Sequence, residues 1–237
     1  MSLCPNFLYA GPDIPWMNPE CIGINTLPPR THLHGFTNEV EAINAKPLDS
    51  HWHLNLDGNW KFRLYQKPAD LDEGCIKPDG KDSEWDSIKV PGNWTMQGYD
   101  SPHYTNVQMP FAHQPPKVPE ENPTGVYRSC FTLPKGWKER RTVIHFGGVE
   151  SAFFVFCNGN KVGFSKDSRT PVEFNLTPWI VSGTNHLTVV VIRWSDGSFL
   201  EDQDHWWMAG PHRSIYLRST AMTYLEDLFS LGELNQN

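Results

Sequence analysis

Between Asp196 and Asp204 the chain sets four carboxylates, Asp196, Glu201, Asp202 and Asp204, within nine residues, with Trp194, Trp206 and Trp207 on either side. Ionised Asp and Glu accept strong hydrogen bonds from hydroxyls and offer oxygen ligands to sodium, magnesium or calcium. Indole faces cover the apolar C–H faces of a pyranose. The combination suits a sugar or a hard cation. On a loop, Asp202 and Asp204 can both point into one site with Gln203 turned away. Glu201 and Asp202 are expected to serve loop structure, and Asp196, in Ser-Asp-Gly, to shape a turn. Glu201 and Asp204 are too close on one loop to flank a sugar ring as a retaining glycosidase pair, which needs carboxyls ~5–5.5 Å apart across the scissile bond.

Other chemistry is thinner. His32-Leu-His34 and His51-Trp-His53 place imidazoles two residues apart, on one face of a strand, but no third zinc ligand follows at a suitable interval. His205 and His212 flank the acidic loop. Asp202-Gln203-Asp204 has the form of the DxD manganese motif of glycosyltransferases, without the nucleotide-binding α/β pattern that would support it. Five scattered cysteines, with no CxxC pair, argue for free thiols and a reducing, cytoplasmic compartment. The first 21 residues lack a charged stretch followed by an apolar one, so no secretory signal is expected, and Asn93-Trp-Thr and Asn175-Leu-Thr are read as coincidental sequons. A net charge of −7 without a Lys/Arg block disfavours a nucleic-acid partner. No apolar run approaches the ~20 residues of a membrane span.

The elements that must position the acids are β-strands. Apolar, branched and aromatic stretches recur between turn clusters at 60–65, 88–90, 126–133, 143–146, 152–157, 162–165, 172–176, 186–194 and 214–218. Asn158-Gly159 predicts a two-residue type I′ hairpin turn. Residues 1–50 carry seven prolines without sustained periodicity and predict an extended arm that wraps over a neighbouring surface. A short helix is expected over 37–44 with Thr37 as its cap. The acidic stretch 70–87 reads as a solvated loop. Residues 51–219 then form an all-β, jelly-roll-like sandwich of two antiparallel sheets. Residues 220–237 read as a linker or the start of a truncated following domain, with a strand beginning over 222–229.

The run RWSDGSFLEDQDHWWMAG, Arg193 to Gly210, closely resembles the signature that ends the N-terminal sugar-binding domain of glycoside hydrolase family 2 β-galactosidases. PGNWTMQGYDSPHYTNVQMPF, Pro91 to Phe111, is similar to that family's other N-terminal signature. LDGNWKF (56–62), NPTGVYRSCF (122–131) and FGGVESAFFVFCNGNKVGFSKDSRTPVEFNLT (146–177) agree, so the resemblance runs from about Ile24 to Leu217. It implies the galactose-binding-like β-sandwich. It also implies that Asp204, the second acid of Asp-Gln-Asp, accepts sugar hydroxyls and ligates sodium, and that Asn106, in Tyr-Thr-Asn, bonds a hydroxyl at the bottom of a galactose pocket. In that family both catalytic glutamates lie on a barrel domain absent here, so no catalytic residue is assigned and this chain alone is not expected to hydrolyse anything.

The implied partners are galactosides and the remaining domains or a separate catalytic subunit, with homo-oligomers at full length. A stand-alone carbohydrate-binding module is the alternative. The resemblance implies magnesium and sodium as cofactors of the whole enzyme, and some members of that family build an outlying magnesium site partly from an amide just before Asp-Ser-Arg and the Asp of Ser-Asp-Gly. Here the second is Asp196 but the first is Lys166, whose ammonium would repel a cation, so that magnesium site is not expected. Arg169 is expected to be a structural ion-pair partner. Without the barrel, Trp206, Trp207 and Met208 should have lost cover.

Overall fold

The computed structural model describes residues 4–9, 13–106 and 108–234. Among them lie thirteen strands and one α-helix, α1 (Glu39–Asn44). The larger sheet has seven strands, all antiparallel. In spatial order they are β1 (Gly23–Ile24), β9 (Asn160–Lys166), β8 (Ala152–Cys157), β11 (Thr184–Ile192), β5 (Thr124–Thr132), β3 (Gly58–Tyr65) and β4 (Asp86–Val90). The smaller sheet orders β10 (Val172–Asn175), β6 (Arg141–Phe146), β13 (Ile215–Thr220) and β2 (His53–Asn55). A two-stranded ribbon joins β7 (Val149–Glu150) to β12 (Gly210–Pro211). This is the expected jelly-roll sandwich.

The nine strands expected from the sequence all form, and the four others are two or three residues long. Asn158 and Gly159, with φ of 52° and 80°, make the expected hairpin between β8 and β9. The long strands are apolar on both faces because both are covered. Phe153, Val155, Leu187, Val189 and Val191 face the smaller sheet in the inner core. Phe154, Phe156, Val190 and Ile192, one residue out of phase, face a second, outer core.

That outer core is closed by the arm and the loops. Leu8 and Trp16 are buried in it, and the arm's β1 pairs with the edge of β9 at Phe164 and Ser165. A Cβ on Gly163 would come 2.5 Å from the Ile24 carbonyl and the Phe174 ring, so glycine permits that close approach. The stretch 70–87 is not simply solvated: Leu71, Cys75, Ile76 and Trp85 plug the same layer, and Arg128 bonds the carbonyls of Lys77 and Gly80. Burying four apolar side chains outweighs the acids around them, which stay at the rim. The helix cap is Asn38, not Thr37; its side chain accepts from the Glu41 N–H at 2.9 Å while Thr37 N–H reaches back to the Glu41 carboxylate. No strand forms over 222–229: the segment runs exposed, held where Asp227 accepts from Thr31 N–H and Tyr224 lies under Arg141. Without a paired edge its backbone has no ladder to join.

Candidate functional site

Two loops far apart in sequence are stitched into one edge. The segment 91–111 follows β4, and 193–209 follows β11. Gly92 N–H donates to Pro211 C=O (2.7 Å), Trp94 N–H to Ala209 C=O (2.9 Å), and His103 and Trp207 exchange backbone bonds of 3.3 and 2.7 Å. Trp207 Nε1 adds a 3.0 Å bond to Thr105 Oγ1. Beneath them, the buried Arg193 guanidinium pairs with Asp100 and donates to Ser101 C=O at 2.7 Å. Buried Glu150 accepts from Met208 N–H at 3.0 Å and pairs with Arg169 at 3.3 Å, the structural role expected of Arg169.

On this edge Tyr104 Oη donates to Asp204 Oδ1 at 2.6 Å, the short contact of a charge-assisted bond. That bond pushes the Tyr104 phenol above its ordinary pKa. Tyr104 and Trp206 lie side by side with ring centroids 5.6 Å apart, and both are about half exposed. Asn106 sits two residues beyond Tyr104, exposed, with φ of 47° in the left-handed region that Asn tolerates. The edge therefore presents an anionic oxygen, an amide and two aromatic faces. Sequence reasoning overlooked Tyr104, although its place in Tyr-Thr-Asn puts it beside the amide already singled out.

Glu201 and Asp196 are committed elsewhere. Glu201 accepts from Ser168 N–H and Oγ, each at 2.6 Å, which is loop structure as expected. Asp202 is half-buried and turns Oδ1 into the protein, where no described residue bonds it. Asp196 accepts from Gly197 N–H at 3.0 Å, but its principal partner is the Lys166 ammonium, at 2.6 and 2.7 Å from its two oxygens. A magnesium ion does not fit beside Asp196, because the ammonium already occupies the space against both oxygens. Of the three tryptophans only Trp206 offers a face. Trp194 and Trp207 are buried against each other with centroids 5.4 Å apart, so the expectation that Trp207 had lost cover fails. His205 packs on Trp207 and bonds backbone carbonyls. The His212 ring is pushed down to about 4 by burial and by neighbouring Arg169 and Arg213.

Of the paired histidines, His32, His34 and His53 serve a different cluster, which sequence reasoning missed, while His51 packs on Trp52. Glu173 on β10 accepts paired bonds from Arg218 (2.9 and 2.7 Å) and Arg30 (3.0–3.1 Å) and lies 3.3 Å from His145 Nδ1. Burial alone would raise this carboxyl; the His145 and Arg218 hydrogen bonds and the arginine charges outweigh it and hold it well below the carboxylate range. His32 stacks on His34 and packs edgewise on His145, while His53 and His145 both lie on Tyr216. Among the described residues no group of three His, Cys, Asp or Glu side chains is placed to hold a metal. None of the described helices is long and apolar enough to cross a membrane.

A jelly-roll whose loop edge carries an open carboxylate, an amide and aromatic faces is the architecture of a carbohydrate-binding domain. The profile of glycosyl hydrolases family 2, sugar binding domain, matches residues 54–221. The β-galactosidase of Psychromonas ingrahamii is 46% identical over 220 residues, which cover 93% of this chain and 21% of that protein. The β-galactosidase of Vibrio cholerae is 47% identical over 221 residues, with the same coverage. Among solved structures, beta-glucuronidase 2 of Bacteroides uniformis superposes with a TM-score of 0.55 at 24% identity, over 71% of this chain and 18% of that one. That last likeness is one of fold. The chain belongs to glycosyl hydrolase family 2 and is its sugar-binding domain. It spans about a fifth of the length of the curated relatives it matches.

Proposed function

We propose that this chain forms one wall of the galactose subsite of a β-galactosidase whose catalytic groups lie on other domains or on a separate catalytic subunit. The observation that carries this reading is the 46–47% identity to proteins named β-galactosidase, over nearly the whole chain. Asp204 accepts sugar hydroxyls through an oxygen open to solvent, and Asn106 supplies a donor and an acceptor to another hydroxyl. Trp206 and Tyr104 offer flat apolar faces to the sugar ring. Sodium, if bound, is held through the Asp204 carboxylate, where it supplies fixed positive charge beside the hydroxyls. A hard cation takes about six oxygens, so most of its ligands come from sugar, water or the other domains. Those domains cover the exposed apolar tail from Leu225 to Leu234. The five free cysteines support a reducing compartment, the cytoplasm.

The test is an NMR titration of the chain with galactose. Half a pocket should bind in the millimolar range or weaker, with shifts confined to residues 103–106 and 201–206 and abolished by Asp204→Asn. Shifts elsewhere, or an unchanged titration in the variant, would sink the assignment of Asp204. In the whole enzyme the same substitution should lower kcat/KM for a galactoside.

A further inference from the structure

Lys166 ends β9 and turns its side chain inward. Its ammonium meets four oxygens: Asp196 Oδ1 and Oδ2 at 2.6 and 2.7 Å, Asn18 C=O at 2.9 Å and Pro15 C=O at 3.4 Å. Lys166 and Asp196 are both buried, with side chains 6% and 7% exposed. The two carbonyls belong to the N-terminal arm, at the turn that seats Trp16 on Phe154, while Asp196 belongs to the loop after β11. Three segments distant in sequence thus converge on a single positive charge. One carboxylate and two main-chain carbonyls form the all-oxygen donor set that hard divalent cations prefer. The ammonium, with three N–H donors, satisfies the same set at hydrogen-bond rather than coordination distances. Lys161, on the same strand, fastens the arm in the same way with a 2.7 Å bond to Tyr9 C=O.

We infer that Lys166 is a built-in cation standing where a metal ion would otherwise be needed to clamp the arm to the sandwich. The arm is therefore held by a tethered charge that no chelator can remove. The groove of about 850 Å³ that Lys166 and Asp196 help to line gives ions a path to these oxygens, so exchanging the ammonium for an oxygen ligand should let a metal enter. This inference does not depend on the sugar reading.

Hydrogen exchange at the amides of residues 16–24 tests it, with magnesium chloride or EDTA as the only addition. The native chain should show the same protection in both. Lys166→Met, which keeps the length and loses the charge, should exchange roughly a hundredfold faster there, with or without magnesium, because Asp196 is left buried and unpaired. Lys166→Gln restores an oxygen ligand, so its exchange should be fast in EDTA and slow again in millimolar magnesium. Native protection that collapses in EDTA would show that a metal holds the arm and would overturn the proposal. So would native-like protection in Lys166→Met, or a Lys166→Gln variant indifferent to magnesium. The chelator arm uses the native chain, so it decides even where a variant folds poorly.

Discussion

Glu173 and Asp204 are both carboxylates near the surface of one sandwich, and they differ in how much of their hydrogen-bonding capacity the protein itself consumes. Glu173 takes five bonds from two arginines and contacts a histidine, behind a layer of aromatic rings. Asp204 takes one side-chain bond, from Tyr104, at an exposed edge. A saturated carboxylate can only hold the fold together; one with open lone pairs can still bind something else. Asp196, Glu150 and Glu201 fall on the saturated side. Acids that look alike in sequence thus differ in kind, and the count of partners separates Asp204 from Asp196 and Glu201.

The largest effect should come from breaking the saturated side. Glu173→Gln leaves Arg30 and Arg218 buried without their counter-charge and should cost about 3–5 kcal/mol in urea denaturation. A loss below 1 kcal/mol would mean that the cluster is open to water, and the contrast with Asp204 would vanish. Trp207→Ala should cost a similar amount, about 3–5 kcal/mol, by emptying the space beside Trp194. Trp206→Ala, on the same loop, should change stability by no more than about 0.5 kcal/mol. Equal losses for the two tryptophans would contradict their opposite burial.

How much of this was legible in the sequence depends on the range of the interaction. The strands were readable because 152–157 and 186–194 carry their apolar pattern within a few residues, and Asn158-Gly159 names its own turn. Thr37 and Asn38 are both good caps, so the choice between them rested on one hydrogen bond that no pattern encodes. Trp207 was expected in the open because indoles beside acids suggest a sugar platform; only the contact with Trp194 shows it to be core. The Glu173 cluster draws on residues 30, 145, 173 and 218, and the Lys166 clamp on residues 15, 18, 166 and 196. Each is closed by the topology of the sheets and the path of the arm. A motif could point to Asp204, but the donor that engages it, Tyr104, lies a hundred residues earlier.

A smaller effect should appear on acidification. His212 is half-buried beside Arg169 and Arg213, and its pKa is lowered from the ordinary 6.5 to about 4. At pH 5 the unfolded chain binds a proton there that the folded chain refuses. The contribution is thus fully present above pH 6.5 and is lost as the pH falls toward about 4. Burial lowers His32, His34 and His53 in the same direction. Urea midpoints should therefore fall across this window, with His212 accounting for about 1–2 kcal/mol after allowance for solvent screening. His212→Phe should make that fall shallower. A variant as steep as the native chain would show that His212 titrates normally when folded.

The smallest effect on stability should come from the edge itself, and there the comparison is sharpest. Asp204→Asn and Tyr104→Phe each remove one end of a single exposed hydrogen bond, so each should shift stability by less than about 0.5 kcal/mol. Their consequences for a ligand should nevertheless differ. Asp204→Asn removes the anion, leaving a neutral amide where sugar hydroxyls and sodium would meet a charge, and should abolish the galactose-induced shifts. Tyr104→Phe keeps the anion and the ring but frees Oδ1, so binding should weaken only a few-fold. It would do so because Asp204 loses the donor that fixes its orientation. If both substitutions abolish binding equally, the tyrosine hydroxyl contacts the sugar directly. If neither does, the open carboxylate is not the subsite, however much spare capacity it has.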